Sequence, residues 1–202
     1  MDSDLTLDEI FNYFKNPTLH SPQNLYEYKD SIPNGPGLYA WYFNIDVDFN
    51  CNPLERVSRI KTLEQGNPKS WFLLYVGIAG KKKGRTLRDR IYGEHLNQNS
   101  KGSTLRQSLA ALLWHDIGLD PKKQLNGEDE KRRLNCWIFN HARVTWIETN
   151  KPDKLEKLIL SEYGNCLPLN LNGNKANQCR KEVEQLRKQW RKKGSWFNFL
   201  KS

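Results

Sequence analysis

Two short apolar runs each hold a tyrosine close to a glycine: "GPGLYAWYF" at 35–43 and "SWFLLYVGIAGKKKGR" at 70–85. The second opens directly into three lysines. A phenol titrates near pH 10 in water and is a poor base at neutral pH unless neighbouring cations lower its pKa. Two phenols beside a lysine loop therefore call for an anion as their partner. Further along, "TLRDRIYGEHL" at 86–96 adds two arginines and a histidine. "KLEKLILSEY" at 154–163 offers Glu156 and Glu162, and "LPLN" at 167–170 ends on Asn170.

The totals point the same way. A net charge of +9, from 32 Lys+Arg against 23 Asp+Glu, implies a polyanionic partner, nucleic acid before an anionic membrane surface. Seven Trp, eight Tyr and eight Phe in 202 residues exclude a disordered chain and allow an independent core. Cys51, Cys136, Cys166 and Cys179 show no CxxC or Cys/His ligand spacing. That argues against zinc, and they read as reduced thiols of a cytoplasmic protein. The start, "MDSDLTLDEIFNYF", carries no secretory signal, and no run approaches the roughly 18 apolar residues of a membrane span.

Periodicity places these residues on elements. A helix is predicted over 4–15, with Asp4 or Thr6 as N-cap and Leu7, Ile10, Phe11 and Phe14 on one face. A strand follows at 38–43, after the turn cluster "SIPNGPG". The run 71–78 is too apolar to alternate and belongs in the middle of a sheet. The polar stretch 44–70 reads as an insertion with little more than a helical turn. Thr86 and Ser103 cap two helices, and 118–133 reads as a charged loop. "NCWIFN" and "RVTWIET" read as a strand or strand pair, and Asp153 as the cap of a helix ending at Gly164. A last helix covers 177–193. There Val183, Leu186 and Trp190 share one face, and Arg180, Arg187 and Arg191 share a neighbouring one. Lys181, Lys188 and Lys192 repeat that spacing one residue on, a pattern suited to salt-sensitive contact with a nucleic-acid backbone.

Gly-Leu-Tyr at 37–39, Tyr-Val-Gly at 75–77, the arginine helix, Leu155-Glu156 and the "LPLN" loop occur in an order that resembles the GIY-YIG nuclease superfamily. The resemblance spans 35–175. It implies an α/β (α+β) domain, with a small central, mainly antiparallel sheet flanked by helices. Residues 1–34 would then be a helical extension, 44–70 and 97–133 insertions, and 176–202 a basic C-terminal helix. It also implies a metal-dependent endonuclease acting on DNA. In that scheme Tyr39 takes the nucleophile's proton, Tyr75 and His95 orient or relay it, and Arg90 clamps a phosphoryl oxygen. Glu156 anchors Mg²⁺ (or Mn²⁺), which keeps most of its shell as water and phosphate. Lys81, Lys82, Lys83, Arg106 and Asn170 are the candidate nucleic-acid contacts.

Two departures from the family pattern bear on register. Ile78 follows Tyr-Val-Gly where the family often has Lys or Ser, so a cation there would have to come from Lys81–Lys83. His95 follows Arg90 by five residues where the family spacing is four, while Tyr92 follows Arg88 by four. A binding module of the same fold without catalysis, and an RNA nuclease, are the alternative readings.

Overall fold

The computed structural model describes residues 6–44, 59–64, 67–80, 84–97 and 103–195. Strands β1 (Gly37–Phe43), β2 (Arg59–Glu64), β3 (Asn67–Ala79) and β4 (Ala142–Glu148) form one sheet in the order β2-β3-β1-β4, with every pairing antiparallel. All seven residues of β1 are buried, which is why its sequence does not alternate. The two tyrosine-bearing strands are thus the two central ones. Tyr39 lies opposite Gly77 and Trp41 opposite Tyr75. Because side chains alternate across a strand, all four residues share one face of the sheet.

The helices close around this face and its ends. Helix α1 (Leu7–Lys15) starts with a reciprocal cap, Glu9 N–H donating to Thr6 Oγ1 at 3.3 Å and Thr6 N–H to Glu9 Oε2 at 2.8 Å. It buries Ile10 and Phe14, and the Tyr42 hydroxyl donates to the Phe14 carbonyl at 2.9 Å, so the N-terminal segment joins the main core. Helix α2 (Pro22–Glu27) follows, then a π-helix over Asp89–Leu96 entered through Leu87 and Arg88. Thr86 caps that segment: its Oγ1 accepts from Asp89 N–H at 3.2 Å while Asp89 Oδ2 accepts from Thr86 N–H at 2.8 Å. Next come α3 (Thr104–Leu113), α4 (Glu128–His141), α5 (Pro152–Tyr163) and α6 (Arg180–Ser195). Helix α3 packs on α6, and α5 on β3 and β1.

Four expectations are corrected. The polar stretch 44–70 contributes β2 and the start of β3, a hairpin, whereas 45–58 lies outside the described residues. "NCWIFN" is helical, as the end of α4. Glu128, Asp129 and Glu130 fill the first turn of α4, where acidic groups meet the positive end of the helix dipole favourably, and Leu134 and Ile138 are buried four residues apart. The aromatic and β-branched residues suggested a strand locally, but packing of that four-residue stripe wins. Asp153 sits inside the first turn of α5, whose cap position is Lys151 followed by Pro152. Cys179 is disulfide-bonded, not reduced, with its partner sulfur outside the described side chains, while Cys136 is a free, exposed thiol. Loop 167–179 turns back on itself, Asn177 Nδ2 donating to the carbonyls of Pro168 and Asn170. Among the described residues no helix is long and apolar enough to cross a membrane.

Candidate active site

A cleft of about 250 Å³ opens where β3, the π-helix, α3, α5 and loop 170–172 converge. Tyr75, Arg90, Thr104, Glu156 and Asn170 line it. Tyr39 lies beneath, 0% exposed, with its ring laid over Gly77. A Cβ on Gly77 would collide with the Tyr39 ring and hydroxyl, which is the physical reason for glycine opposite this tyrosine.

Behind the cleft runs a buried polar chain. Tyr39 OH is hydrogen-bonded to His95 Nε2 at 2.8 Å, and His95 Nδ1 to Ser103 Oγ at 2.8 Å. Ser103 Oγ also accepts from Arg106 N–H at 3.1 Å as the cap of α3. The five-residue step from Arg90 to His95 becomes intelligible here. A π-helix closes its hydrogen bonds from i to i+5, so residues five apart return to the same side, and both reach Tyr39. Arg88 goes elsewhere, pairing with Asp30 at 3.0 Å and donating to the Ile32 carbonyl at 3.0 Å.

The electrostatics of the site follow from its burial. Burial, then the neighbouring Tyr75, holds the Tyr39 phenol well above its ordinary range, with Arg90 pulling the other way. The Tyr39 ring lies 6.3 Å from that of Tyr75, and the Arg90 guanidinium 6.0 Å from the Tyr39 ring centre, so both groups of the cleft wall adjoin it. Burial, with Arg90 and Arg106 adding to it, pushes His95 well below the ordinary imidazole value, so the ring is neutral at physiological pH. Arg90 is ion-paired with Glu94, which also binds Arg85 at 2.7 Å. The Glu156 carboxyl is raised by burial and by Asp153, an effect that Arg90 only partly offsets.

A half-buried carboxylate short of positive charge suits a hard cation. Among the described residues no group of three or more His, Cys, Asp or Glu side chains could hold a metal ion. Glu156 is the carboxylate in the lining of the cleft, and a single carboxylate is a donor set with which Mg²⁺ can keep most of its shell as water. Glu162, the rival carboxylate, is exposed on α5.

The five expected nucleic-acid contacts need separate treatment. Lys81, Lys82 and Lys83 lie outside the described residues. Arg106 is corrected: it is 0% exposed, and its Nη1 donates to the His95 carbonyl at 2.8 Å and to Asn135 Oδ1 at 2.5 Å. Burial lowers its pKa to about 10, and it holds the His95 end of the π-helix, out of reach of a phosphate. Asn170 lines the cleft and is also bonded to β3. Its Oδ1 accepts from Val76 N–H at 2.8 Å and its Nδ2 donates to the Val76 carbonyl at 2.7 Å. Leu169 N–H adds a bond to the Leu74 carbonyl, so this loop substitutes for a strand along β3 beyond the reach of β2. The Asn170 amide is committed to the backbone and shapes the wall of the cleft. Sequence reasoning recognised Ser103 only as a cap and did not pick out Thr104; no local pattern marks either as a neighbour of the site.

The chain is an α+β protein whose central antiparallel strands carry the phenols of the cleft. A family model described as the GIY-YIG catalytic domain matches residues 37–189, and the chain belongs to that family, a family of nucleases. Comparison with curated proteins and with solved structures gave no match.

Proposed function

We propose that the protein is a metal-dependent endonuclease that hydrolyses phosphodiester bonds of DNA. The observation that carries this reading is the convergence of Tyr75, Arg90 and Glu156 from three elements on one cleft, with the Tyr39–His95 hydrogen bond directly behind it. Glu156 would hold Mg²⁺ or Mn²⁺, and the bound ion would supply Lewis-acid charge at the phosphoryl oxygens. Arg90 adds a fixed guanidinium to the same wall and stabilises the charge that develops in the transition state.

The proton chemistry falls to the two phenols and the imidazole. Tyr75 faces the cleft, and Tyr39 stands between it and neutral His95. The attacking water's proton enters this chain through Tyr75. Tyr75 takes that proton as its own passes to Tyr39, and Tyr39's own passes to His95 Nε2. Because burial, Arg90 and Arg106 disfavour the imidazolium, the chain returns a proton by the same path to the leaving oxygen. Ser103 Oγ fixes the ring by holding Nδ1–H. A phenol kept protonated by burial suits this relay better than it suits a free phenolate base.

The test is to incubate supercoiled plasmid and a structured RNA with wild type, Glu156→Gln and Tyr39→Phe, each with Mg²⁺, Mn²⁺ or EDTA. Metal-dependent nicking of plasmid by wild type, lost in both variants, is the expected result. Cleavage of RNA alone would replace DNA by RNA as substrate. Equal rates for all three proteins, or none with either substrate, would overturn the catalytic reading.

A further inference from the structure

Outside the catalytic cleft, a second cavity of about 260 Å³ lies between α3, loop 124–126 and α6. Its walls carry Arg187, Arg191, Gln107, Gln124, Asn126 and Trp190. Every side chain but Leu125 in that lining bears a hydrogen-bond donor, and two bear a permanent positive charge. Among the described residues neither Arg187 nor Arg191 forms an ion pair with a carboxylate, whereas Arg180, one turn before Val183 on the same helix, is paired with Glu184 at 2.8 Å.

Arg187 is the informative side chain. Its Nη2 donates to Gln107 Oε1, and Arg191 Nε donates to the Arg187 carbonyl at 3.1 Å. The Nε of Arg187 is buried and has no hydrogen-bond partner. Burial, then the neighbouring Arg191, lowers its pKa, with Glu184 pulling the other way. An unmatched buried donor and two like charges both disfavour the unliganded cavity. Both are relieved by a single anion that accepts from Arg187 and Arg191 together.

The position of the cavity indicates which anion. Thr104 lines the catalytic cleft and Gln107 lines this cavity, three residues apart on α3 and hence about 4.5 Å along its axis. Successive positions along one helix face thus lead from the cleft to the arginine cavity. We infer that the Arg187–Arg191 cavity holds a backbone phosphate of the nucleic-acid strand whose scissile phosphate occupies the catalytic cleft. Asn126 adds a further amide donor at the mouth, and Trp190 forms the apolar floor. The inference rests on the nuclease reading and adds to it the groups that set the path of the strand.

The experiment uses full-length Glu156→Gln protein, so that binding is read without cleavage, and fluorescein-labelled 20-nucleotide single- and double-stranded DNA and RNA. Affinity is measured by anisotropy across a salt series. Arg191→Gln is exposed and Asn126→Asp introduces a carboxylate at an exposed position, so both keep the test independent of any folding defect in Arg187→Gln. The control is Arg132→Gln, which removes an equal charge from an arginine of α4 paired with Asp129. Removing the contact should lower the slope of log affinity against log salt by about 0.9 for duplex or about 0.7 for single strands. That drop should appear in Arg191→Gln and Arg187→Gln and not in Arg132→Gln, and Asn126→Asp should weaken binding at every salt concentration. Slopes equal to the parent in both arginine variants would overturn the inference while leaving cleavage by the wild type untouched. If the parent binds no nucleic acid and the wild type cuts none, both the inference and the nuclease reading fail. Inorganic phosphate serves as a further arm. Competition by millimolar phosphate in the parent but not in Arg191→Gln supports a phosphate site, and loss of competition in neither removes it.

Discussion

At the scale of single residues, Glu156 and Tyr39 separate chemistry from folding. The folded-state pKa of Glu156 is raised, so the folded protein binds that proton more tightly than the unfolded chain does. Stability contributed by this group is therefore present at low pH and lost as pH rises through the raised value. Glu156→Gln removes the ionisation, so the variant should melt no lower than wild type at pH 8 and show a flatter pH dependence of Tm, while nicking is abolished. A melt well below wild type would mean that the carboxylate supports the fold and is not merely tolerated there. Tyr39→Phe keeps the ring over Gly77 and removes only the hydroxyl that meets His95. It should cost about 1 kcal/mol of stability, or about 2–4 °C in Tm for a chain of this size. Its cleavage rate should fall by about 10²–10⁴. A nicking assay beside a thermal melt reads both.

At the scale of elements, the site depends on two fits that are backbone properties. Gly77→Ala would drive a methyl group into Tyr39 from the neighbouring strand. The expected result is a folded protein of lower Tm whose nicking is lost because Tyr39 has been displaced from His95; rescue is not expected from added metal. Asn170→Ala would leave the Val76 N–H and carbonyl, both buried, without their partner. Each unsatisfied group costs about 1–3 kcal/mol, so a large fall in the denaturant midpoint is expected with little change in m. A midpoint unchanged from wild type would show that water takes over this part of β3.

At the scale of the whole molecule, α6 belongs to the body of the protein. Trp190 and Val183 are 3% and 1% exposed, and Trp190 meets Trp114 of the turn after α3 edge to face. Trp190→Ala should therefore cost about 3–5 kcal/mol. Removing residues 180–202 should leave a chain that fails to melt cooperatively, not a stable nuclease with weakened binding. Circular dichroism melts of both proteins make the check. The net charge of +9 acts at this scale too, because it raises association rates with any nucleic acid and makes them fall with salt.

Much of this was legible from local order along the chain. Gly-Leu-Tyr, Tyr-Val-Gly, the arginine helix and Leu-Glu each carry their own signal, and the caps Thr6, Thr86 and Ser103 follow from hydroxyls that satisfy free N–H groups at a helix start. The apolar run at 71–78 announced a central strand because only a doubly covered strand lacks alternation. The sequence by itself thus determined the family and the mixed α and β content, and it singled out Tyr75, Arg90, Glu156 and Asn170, which line the cleft together with residues it did not single out. Only the tertiary structure decided how those residues meet. The i to i+5 winding that aligns Arg90 with His95, the inward turn of Arg106, the binding of the Asn170 amide to Val76 and the helical state of "NCWIFN" are all set by partners distant in sequence. The underlying reason is that buried polar groups must find a partner and apolar stripes a surface, and neither requirement is expressed within a short window of sequence.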